Sequence, residues 1–339
     1  MKTIFVSGGM GFLGSHCCVE LINAGYDPII VDNLSNSSAT VLDGIEAITG
    51  KRPPFYPIDL TDKQALAAVF AAHPIDAAIH FAGYKAVGES KEKPLAYYEN
   101  NLGATICLLY CMEQFGVERL VFSSSATVYD AENHIVLRED TPLHCQSPYG
   151  WSKYMSEQII RDYMATRENG SAVLLRYFNP VGAHESSLIG EAPRGIPDNL
   201  MPFITQTAIG IREKLSVFGD DYDTPDGSGV RDYIHVTDLA RGHIAALDYS
   251  ASHTGTEAIN LGSGHGTSVL ELLNTFQTVN GVAVPHEIGP RRAGDAAIYY
   301  ADCHRAKELL NWEVALDLDE MCRSAWRWEQ RSRGNGANL

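Results

Sequence analysis

Three features of the 339-residue chain predict a doubly wound, Rossmann-like parallel α/β sheet with a smaller C-terminal α/β domain. A short apolar run, Thr3 to Ser7, leads through the turn Gly8-Gly9-Met10-Gly11-Phe12-Leu13-Gly14 into a helical stretch from Ser15 to Asn23. A second strand, Ile29-Ile30-Val31, ends in Asp32, 18 residues after Gly14. Strand-like and helix-like segments then keep alternating, the pattern of a parallel sheet with helices on both faces.

Each element has a local reason. Glycines at Gly8, Gly11 and Gly14 allow a tight turn and a close approach of the backbone to a pyrophosphate, whose charge the free N–H groups at the helix start can accept. Asp32 stands where a ribose diol would be bound, which favours NAD over NADP. As a turn former it could also simply open the loop Asn33-Leu34-Ser35-Asn36-Ser37. Phe55 to Ile58 reads as the third strand, running into Asp59-Leu60. A helix over Ala65 to Ala72 and a buried strand, Ala77-Ala78-Ile79-His80-Phe81-Ala82-Gly83, follow. The long helical stretch from Pro94 to Phe115 carries Asn100 and Asn101. The next strand, Leu120 to Ser125, ends in three hydroxyls, at the sheet edge where such folds bind ligands.

Ser147-Pro148-Tyr149-Gly150-Trp151-Ser152-Lys153 opens another helix, since Ser147 suits a cap and Pro148 a first turn. Met155, Ile159, Ile160 and Tyr163 continue its apolar stripe. Tyr149 and Lys153 then share a face, about 6 Å apart along the axis. A free tyrosine titrates near ~10 and is a poor base at neutral pH. A lysine cation nearby lowers that value, and a positively charged nicotinamide ring lowers it further. An ordinary amphipathic helix accommodates the same pair, so the remaining motifs decide.

After Ala172 to Arg176 the pattern loosens into Tyr177-Phe178-Asn179-Pro180-Val181-Gly182, a Gly/Pro-containing exit from the sheet. The expected division is a cofactor domain over residues 1–179, a substrate domain over 180–332 and a polar tail over 333–339, with segments after Arg231 free to return to the first domain. Within 180–332 the pattern gives a helix from Leu200 to Ile209, a strand near Leu215 to Phe218, an acidic glycine-rich loop over Gly219 to Gly229 and a helix near Thr237 to Tyr249.

Composition narrows the class. No apolar run approaches the roughly 18–20 residues needed to span a bilayer, and no cleavable signal pattern opens the chain, so a cytoplasmic protein without membrane association is expected. Seven cysteines without Cys-x-x-Cys pairs read as reduced thiols and give no metal site; Cys107 and Cys111, four apart, read as small buried residues more readily than as a metal pair. The formal net charge of −16 argues against a nucleic-acid partner. An anionic ligand must therefore be held by a local cluster of arginines, whose planar, permanently charged donors suit a diphosphate.

With these residues in view, the chain from about Lys2 to about Trp328 resembles the UDP-glucose 4-epimerase (UDP-galactose 4-epimerase) family of the extended short-chain dehydrogenase/reductase superfamily. The marks are His80-Phe81-Ala82-Gly83, Lys85-Ala86-Val87-Gly88-Glu89-Ser90, Ser123-Ser124-Ser125-Ala126-Thr127-Val128-Tyr129, Ser147-Pro148-Tyr149-Gly150, Arg176 to His184, and Gly229-Val230-Arg231-Asp232-Tyr233-Ile234-His235-Val236. The resemblance implies Ser125, Tyr149 and Lys153 as the catalytic trio. It places Phe12, Leu13, Asp32, Asn33, Leu34, Ser35, Asn36, Ser37, Asp59, Leu60, Phe81, Ala82, Gly83, Tyr84, Lys85, Asn100 and Phe178 around NAD. For a UDP-sugar it points to Asn179, Asn199, Leu200, Ser216, Val217, Phe218, Arg231, Arg292, Asp295 and Tyr299. Arg291, beside Arg292, stays open as a surface residue. A homodimer is implied through the helices near Pro94 to Phe115 and Pro148 to Arg167.

The implied reaction is removal of the sugar 4'-OH proton by Tyr149 with hydride leaving C4', rotation of the bound 4-keto sugar, and hydride return to the opposite face. UDP-glucose and UDP-galactose are the expected substrates. Tyr299 stands where the family carries a size gate: a small residue goes with N-acetylated sugars and tyrosine with glucose and galactose alone. A nucleotide-sugar 4,6-dehydratase shares the initial oxidation but needs an Asp-Glu pair where this chain has Ala126-Thr127. A non-catalytic NAD-sensing regulator would not need the Tyr149/Lys153 pair. Met10, Tyr84 and Asp130 depart from the family pattern, where a small polar residue, an aliphatic and a glycine are usual.

Overall fold

The computed structural model describes residues 2–292 and 295–334. Its main sheet has seven parallel strands: β1 (Thr3–Ser7), β2 (Asp27–Val31), β3 (Phe55–Tyr56), β4 (Ile75–His80), β5 (Arg119–Ser123), β6 (Ser171–Tyr177) and β7 (Gly255–Leu261). In space the order is β7-β6-β5-β4-β1-β2-β3, so the chain works outward from β1 in one direction and then in the other. The reversal opens a crevice at the carboxyl ends of β1 and β4, the ligand position of open α/β sheets.

Strand residues alternate strictly between two cores. Ile4, Val6, Ile30, Ile79, Val121, Val173 and Leu175 pack on one face, while Phe5, Ile29, Val31, Ala78, Leu120, Phe122 and Leu174 pack on the other. Both faces are buried because helices cover both, and for that reason these strands read as continuous apolar runs in the sequence. The first helix, α1 (Phe12–Asn23), begins three residues before the expected Ser15 because Gly11 takes the cap position with an extended backbone. Along the chain α2 (Thr40–Thr49), α3 (Lys63–Ala72) and α4 (Val87–Glu92) follow it. The long α5 (Pro94–Phe115) lies against α6 (Pro148–Ala165).

A further core gathers around α7 (Leu200–Ala208), α9 (Val269–Asn280) and α10 (Leu318–Gly334), with Ile204, Leu272, Leu273, Phe276 and Cys322 at its centre. Between these elements the chain returns to the first layer. Strand β7 pairs with β6 along its whole length, and α8 (Val236–Ser250) packs on α1. Buried Asp232 ties the two parts together by accepting hydrogen bonds from the N–H groups of Ser263, Gly264 and Ala301 and from the Ser263 hydroxyl. The last helix runs to Gly334, and residues 335–339 of the expected tail lie outside the described residues.

No helix among the described residues is long and apolar enough to cross a membrane, and all seven cysteines are free thiols.

Candidate active site

Ser147 starts α6 with its hydroxyl accepting the Gly150 N–H at 3.1 Å, and Pro148 supplies the first helical residue. This cap aims Tyr149 at the carboxyl end of β5. The helix is fixed from below by a buried ion pair: Arg176 on β6 donates from Nε and Nη2 to the two Glu157 oxygens at 2.9 and 2.6 Å, and Ser124 donates to the same carboxylate at 2.6 Å. Burial opposes the Arg176 charge, but Glu157 outweighs it and raises the guanidinium pKa. A bidentate pair of this kind sets orientation as well as contributing energy.

Tyr149 is 6% exposed. Its phenol pKa lies well above the ordinary value, first because burial disfavours the phenolate and next because Tyr177 and Tyr97 stand nearby; a hydrogen bond with Ser125 acts the other way. Ser125 is itself constrained. Its Oγ accepts from the Thr127 N–H at 3.2 Å and the Thr127 hydroxyl at 3.0 Å, so its own proton is the one left to donate.

Lys153 differs from the expectation drawn from spacing. Its Nζ donates to the Ser123 carbonyl at 2.7 Å and lies 4.9 Å from the Phe122 ring centre. The side chain is buried, and desolvation lowers its pKa to about 8 despite the Glu157 carboxylate. In the chain by itself the phenol is therefore raised rather than lowered, because burial outweighs the one hydrogen bond that favours the phenolate.

The glycine-rich turn fits a dinucleotide. A Cβ on Gly14 would stand 2.1 Å from the Gly8 carbonyl oxygen, and one on Gly8 (φ +69°) would stand 2.8 Å from the Ala82 nitrogen. Gly11 caps α1 without a side-chain bond, leaving the first N–H groups of Phe12 and Leu13 for an anion. Asp32 lies just past β2 and is held by the N–H groups of Met10 and Leu34 and the Ser37 hydroxyl, at 3.1, 2.8 and 2.9 Å. The carboxylate is thus pinned where a ribose diol can donate to it. Asn33 donates to Asp59 at 2.7 Å, and burial of that carboxyl is outweighed by Thr61 and Asn33, which lower its pKa. Leu60 is buried beneath, while Ser35 and Asn36 are exposed on the same loop.

Across the crevice, Phe81 packs on the His243 ring, and Ala82 and Gly83 carry the chain into Tyr84. The Tyr84 N–H donates to Asn101 at 2.8 Å, and Asn101 also donates to the Tyr84 carbonyl and to Ser152. Asn100 donates to Asn101 in turn, so buried Asn101, not assigned from the sequence, is the residue that fixes this segment. Lys85 pairs with Glu191 at 3.1 Å; burial works against its charge and Glu191 outweighs it. Glu191 also accepts from Asn199 at 2.6 Å, linking an expected cofactor residue to an expected substrate residue. Nothing in the periodicity around Glu191 signals that role.

The remaining substrate residues line the second domain. Asn179 donates its side-chain amide to the Asp232 carbonyl at 2.9 Å, and Leu200 begins α7. Val217 is buried beside Ser216 and exposed Phe218, whose ring lies 4.0 Å beneath the Arg292 guanidinium. Arg291 is instead tied to Asp221 and stacked on Tyr222. Arg231 pairs with Asp295 and lies 4.5 Å over the Tyr299 ring, which in turn is 6.3 Å from Phe178. Tyr299 packs against the cluster that holds Phe178 and Ala126. Of the departures, Met10 is buried under the turn, Tyr84 rests on Tyr97, and Asp130 has no left-handed backbone to strain it.

A model of the NAD dependent epimerase/dehydratase family matches residues 4–262. A UDP-glucose 4-epimerase of Bacillus subtilis (strain 168) is 54% identical over 98% of each chain. Among solved structures, a UDP-glucose 4-epimerase from Bifidobacterium longum in complex with NAD+ and UDP superposes with a TM-score of 0.94 at 48% identity, covering 99% of this chain and all of that one. One from Stenotrophomonas maltophila, with bound NAD and formylated UDP-arabinopyranose, gives 0.96 at 46% identity over the same shares.

Proposed function

The chain belongs to the NAD dependent epimerase/dehydratase family, and from that premise we propose that Tyr149, Ser125 and Lys153 carry its chemistry. It is an NAD-dependent isomerase that interconverts UDP-glucose and UDP-galactose. NAD, when bound, accepts a hydride from the sugar C4' and returns it. Tyr149 takes the 4'-OH proton and later gives it back, and Ser125 donates to the sugar O4' through the one proton Thr127 leaves free. Lys153, anchored on Ser123, would hold the cofactor ribose. Arg231 and Arg292 hold the diphosphate, which keeps UDP in place while the ketone rotates and presents its other face.

The observation that carries this reading is the pairing of buried Tyr149 with Ser125 at the carboxyl edge of a sheet whose first turn admits no side chain at Gly14. Ala126 and Thr127 supply neither the acid nor the base that water elimination needs, which disfavours a dehydratase. Residues 1–179 supply the cofactor site and 180–332 the sugar-nucleotide site, with β7 and α8 returned to the first layer. A cytoplasmic homodimer completes the proposal; Leu95, Ile106 and Tyr110 on α5 and Met155 on α6 leave apolar surface for a second copy.

Incubation with UDP-galactose and analysis of the products tests the reaction. The epimer is expected; a 4-keto-6-deoxy sugar identifies a dehydratase, and no product a regulator. Tyr149→Phe is expected to retain NAD and lose on the order of 10²-fold or more in turnover, and near-normal turnover there removes Tyr149 from the role of base.

A further inference from the structure

Between the strand Asn179–Val181 and α7 the chain runs from 182 to 199 without regular secondary structure, and this stretch crosses from the substrate side to the cofactor side. Its base is rigid. Gly190 lies against Trp328, leaving 2.5 Å for a would-be Cβ, and the Trp328 indole donates to the Glu191 carbonyl. Ile189 is buried against Gly44 of α2, where a Cβ would stand 2.8 Å from it. Beyond this base, Arg194 reaches the loop after β2 and donates from Nη1 to the Ser35 carbonyl at 3.0 Å and from Nη2 to the Ser37 carbonyl at 2.5 Å. The loop it grips is the one whose Ser37 hydroxyl and Leu34 N–H orient Asp32. Leu34 is held there in a left-handed backbone (φ 58°), a conformation that a side chain other than glycine keeps only when its surroundings impose it.

We propose that Arg194 is a positioning residue that straps the substrate side to the adenosine-ribose loop and slows cofactor escape, so that NAD stays bound through successive turnovers. The proposal rests on the cofactor reading above and deepens it. Two charge-assisted donors in a fixed fork hold two carbonyls of one loop, which a single lysine ammonium cannot reproduce at both positions. Releasing them frees the Leu34 backbone and with it the carboxylate of Asp32.

The test is exchange of bound NAD for labelled NAD in the purified holoprotein. Arg194→Ala is expected to exchange about tenfold faster, Arg194→Lys to fall between the two, and turnover at saturating NAD to stay unchanged. Arg331→Ala is the control: Arg331 ties the same stretch at a different point, the Ser186 carbonyl, 3.2 Å away, and its loss is expected to leave exchange unaltered. Wild-type exchange in Arg194→Ala overturns the proposal. So does equal acceleration by Arg331→Ala, which means general loosening, or a fall in saturated turnover, which means a role in the chemistry. A wild-type protein that binds no NAD overturns the cofactor reading itself and is recognised before any variant is compared.

Discussion

Lys153 points its ammonium at the Ser123 carbonyl, 2.7 Å away, although Tyr149 lies one helical turn before it. Burial lowers the lysine pKa to about 8 and raises the phenol's above its usual range, so both groups resist the charge that catalysis asks of them. Apart from the Ser125 hydrogen bond, the positive charge of an oxidised nicotinamide bound beside the phenol would be the further source of stabilisation for a phenolate.

NAD loading is therefore expected to lower the apparent Tyr149 pKa, and reduction to NADH to raise it again. Ultraviolet titration of tyrosinate in the two forms, with Tyr149→Phe as the blank, reads this directly. Equal values in both forms show that the ring charge does not reach the phenol. The same coupling would make the two transfers reinforce each other: Tyr149 holds the proton more tightly once hydride has left the sugar and yields it more readily as hydride returns.

Thr127 fills both acceptor positions of Ser125, and Thr127→Val removes the hydroxyl donor while preserving the N–H. One hydrogen bond of about 1 kcal/mol corresponds to a loss of roughly fivefold in turnover, with KM for UDP-galactose little changed. Thr127→Ser is expected to restore most of it. Unchanged turnover in the valine variant means that Ser125 is oriented by something else.

Tyr299 lies under Arg231 and near Phe178; on the proposed reading its ring fills volume that a 2'-acetamido group would need as the ketone rotates. Overpacking a close-fitting site costs about 1–3 kcal/mol or more. Good activity on UDP-glucose and UDP-galactose, little on UDP-N-acetylglucosamine, and a gain of the latter in Tyr299→Cys are expected. A cysteine variant that stays active on UDP-galactose but gains nothing shows that the gate is elsewhere.

His243 is fully buried, with Nδ1 bonded to the Leu239 carbonyl and no partner for Nε2 among the described residues. Burial lowers its pKa to about 4. The unfolded chain, with a histidine pKa of about 6.5, takes up a proton that the folded protein refuses, so stability is lost as pH falls from about 6.5 towards 4, at about 1.4 kcal/mol per unit for each such histidine. His16, His80 and His235, lowered by burial to about 3, 3 and 4, add to the same slope. Between pH 7 and pH 5, urea unfolding of His243→Phe is expected to lose about 2 kcal/mol less than wild type. Parallel losses show that His243 is not held neutral.

The sheet was legible because its strands are apolar on both faces and its first turn carries glycine where a Cβ has no room, as at Gly8. The start of α6 was legible from Ser147 and Pro148, whose capping roles depend only on neighbours in sequence. What escaped was set at long range. The direction of Lys153 depends on a carbonyl 30 residues away, the importance of Asn101 on Tyr84 and Ser152, and the grip of Arg194 on a loop 157 residues earlier. No local pattern encodes such partners. Arg292 and Arg291 are neighbours of one residue type, and the positions of Asp221, Tyr222 and Phe218 separate them.

Strand β7 is made from residues 255–261, yet it completes the sheet that β1 begins. During synthesis β6 is an open edge until the whole intervening substrate segment has left the ribosome, and an unpaired apolar edge is a template for pairing with other chains. Truncation after the cofactor segment would leave that edge exposed for good. The segments before and after β6 are thus a single unit for biogenesis, and the nascent protein has reason to depend on chaperones even though the finished sheet is buried on both faces.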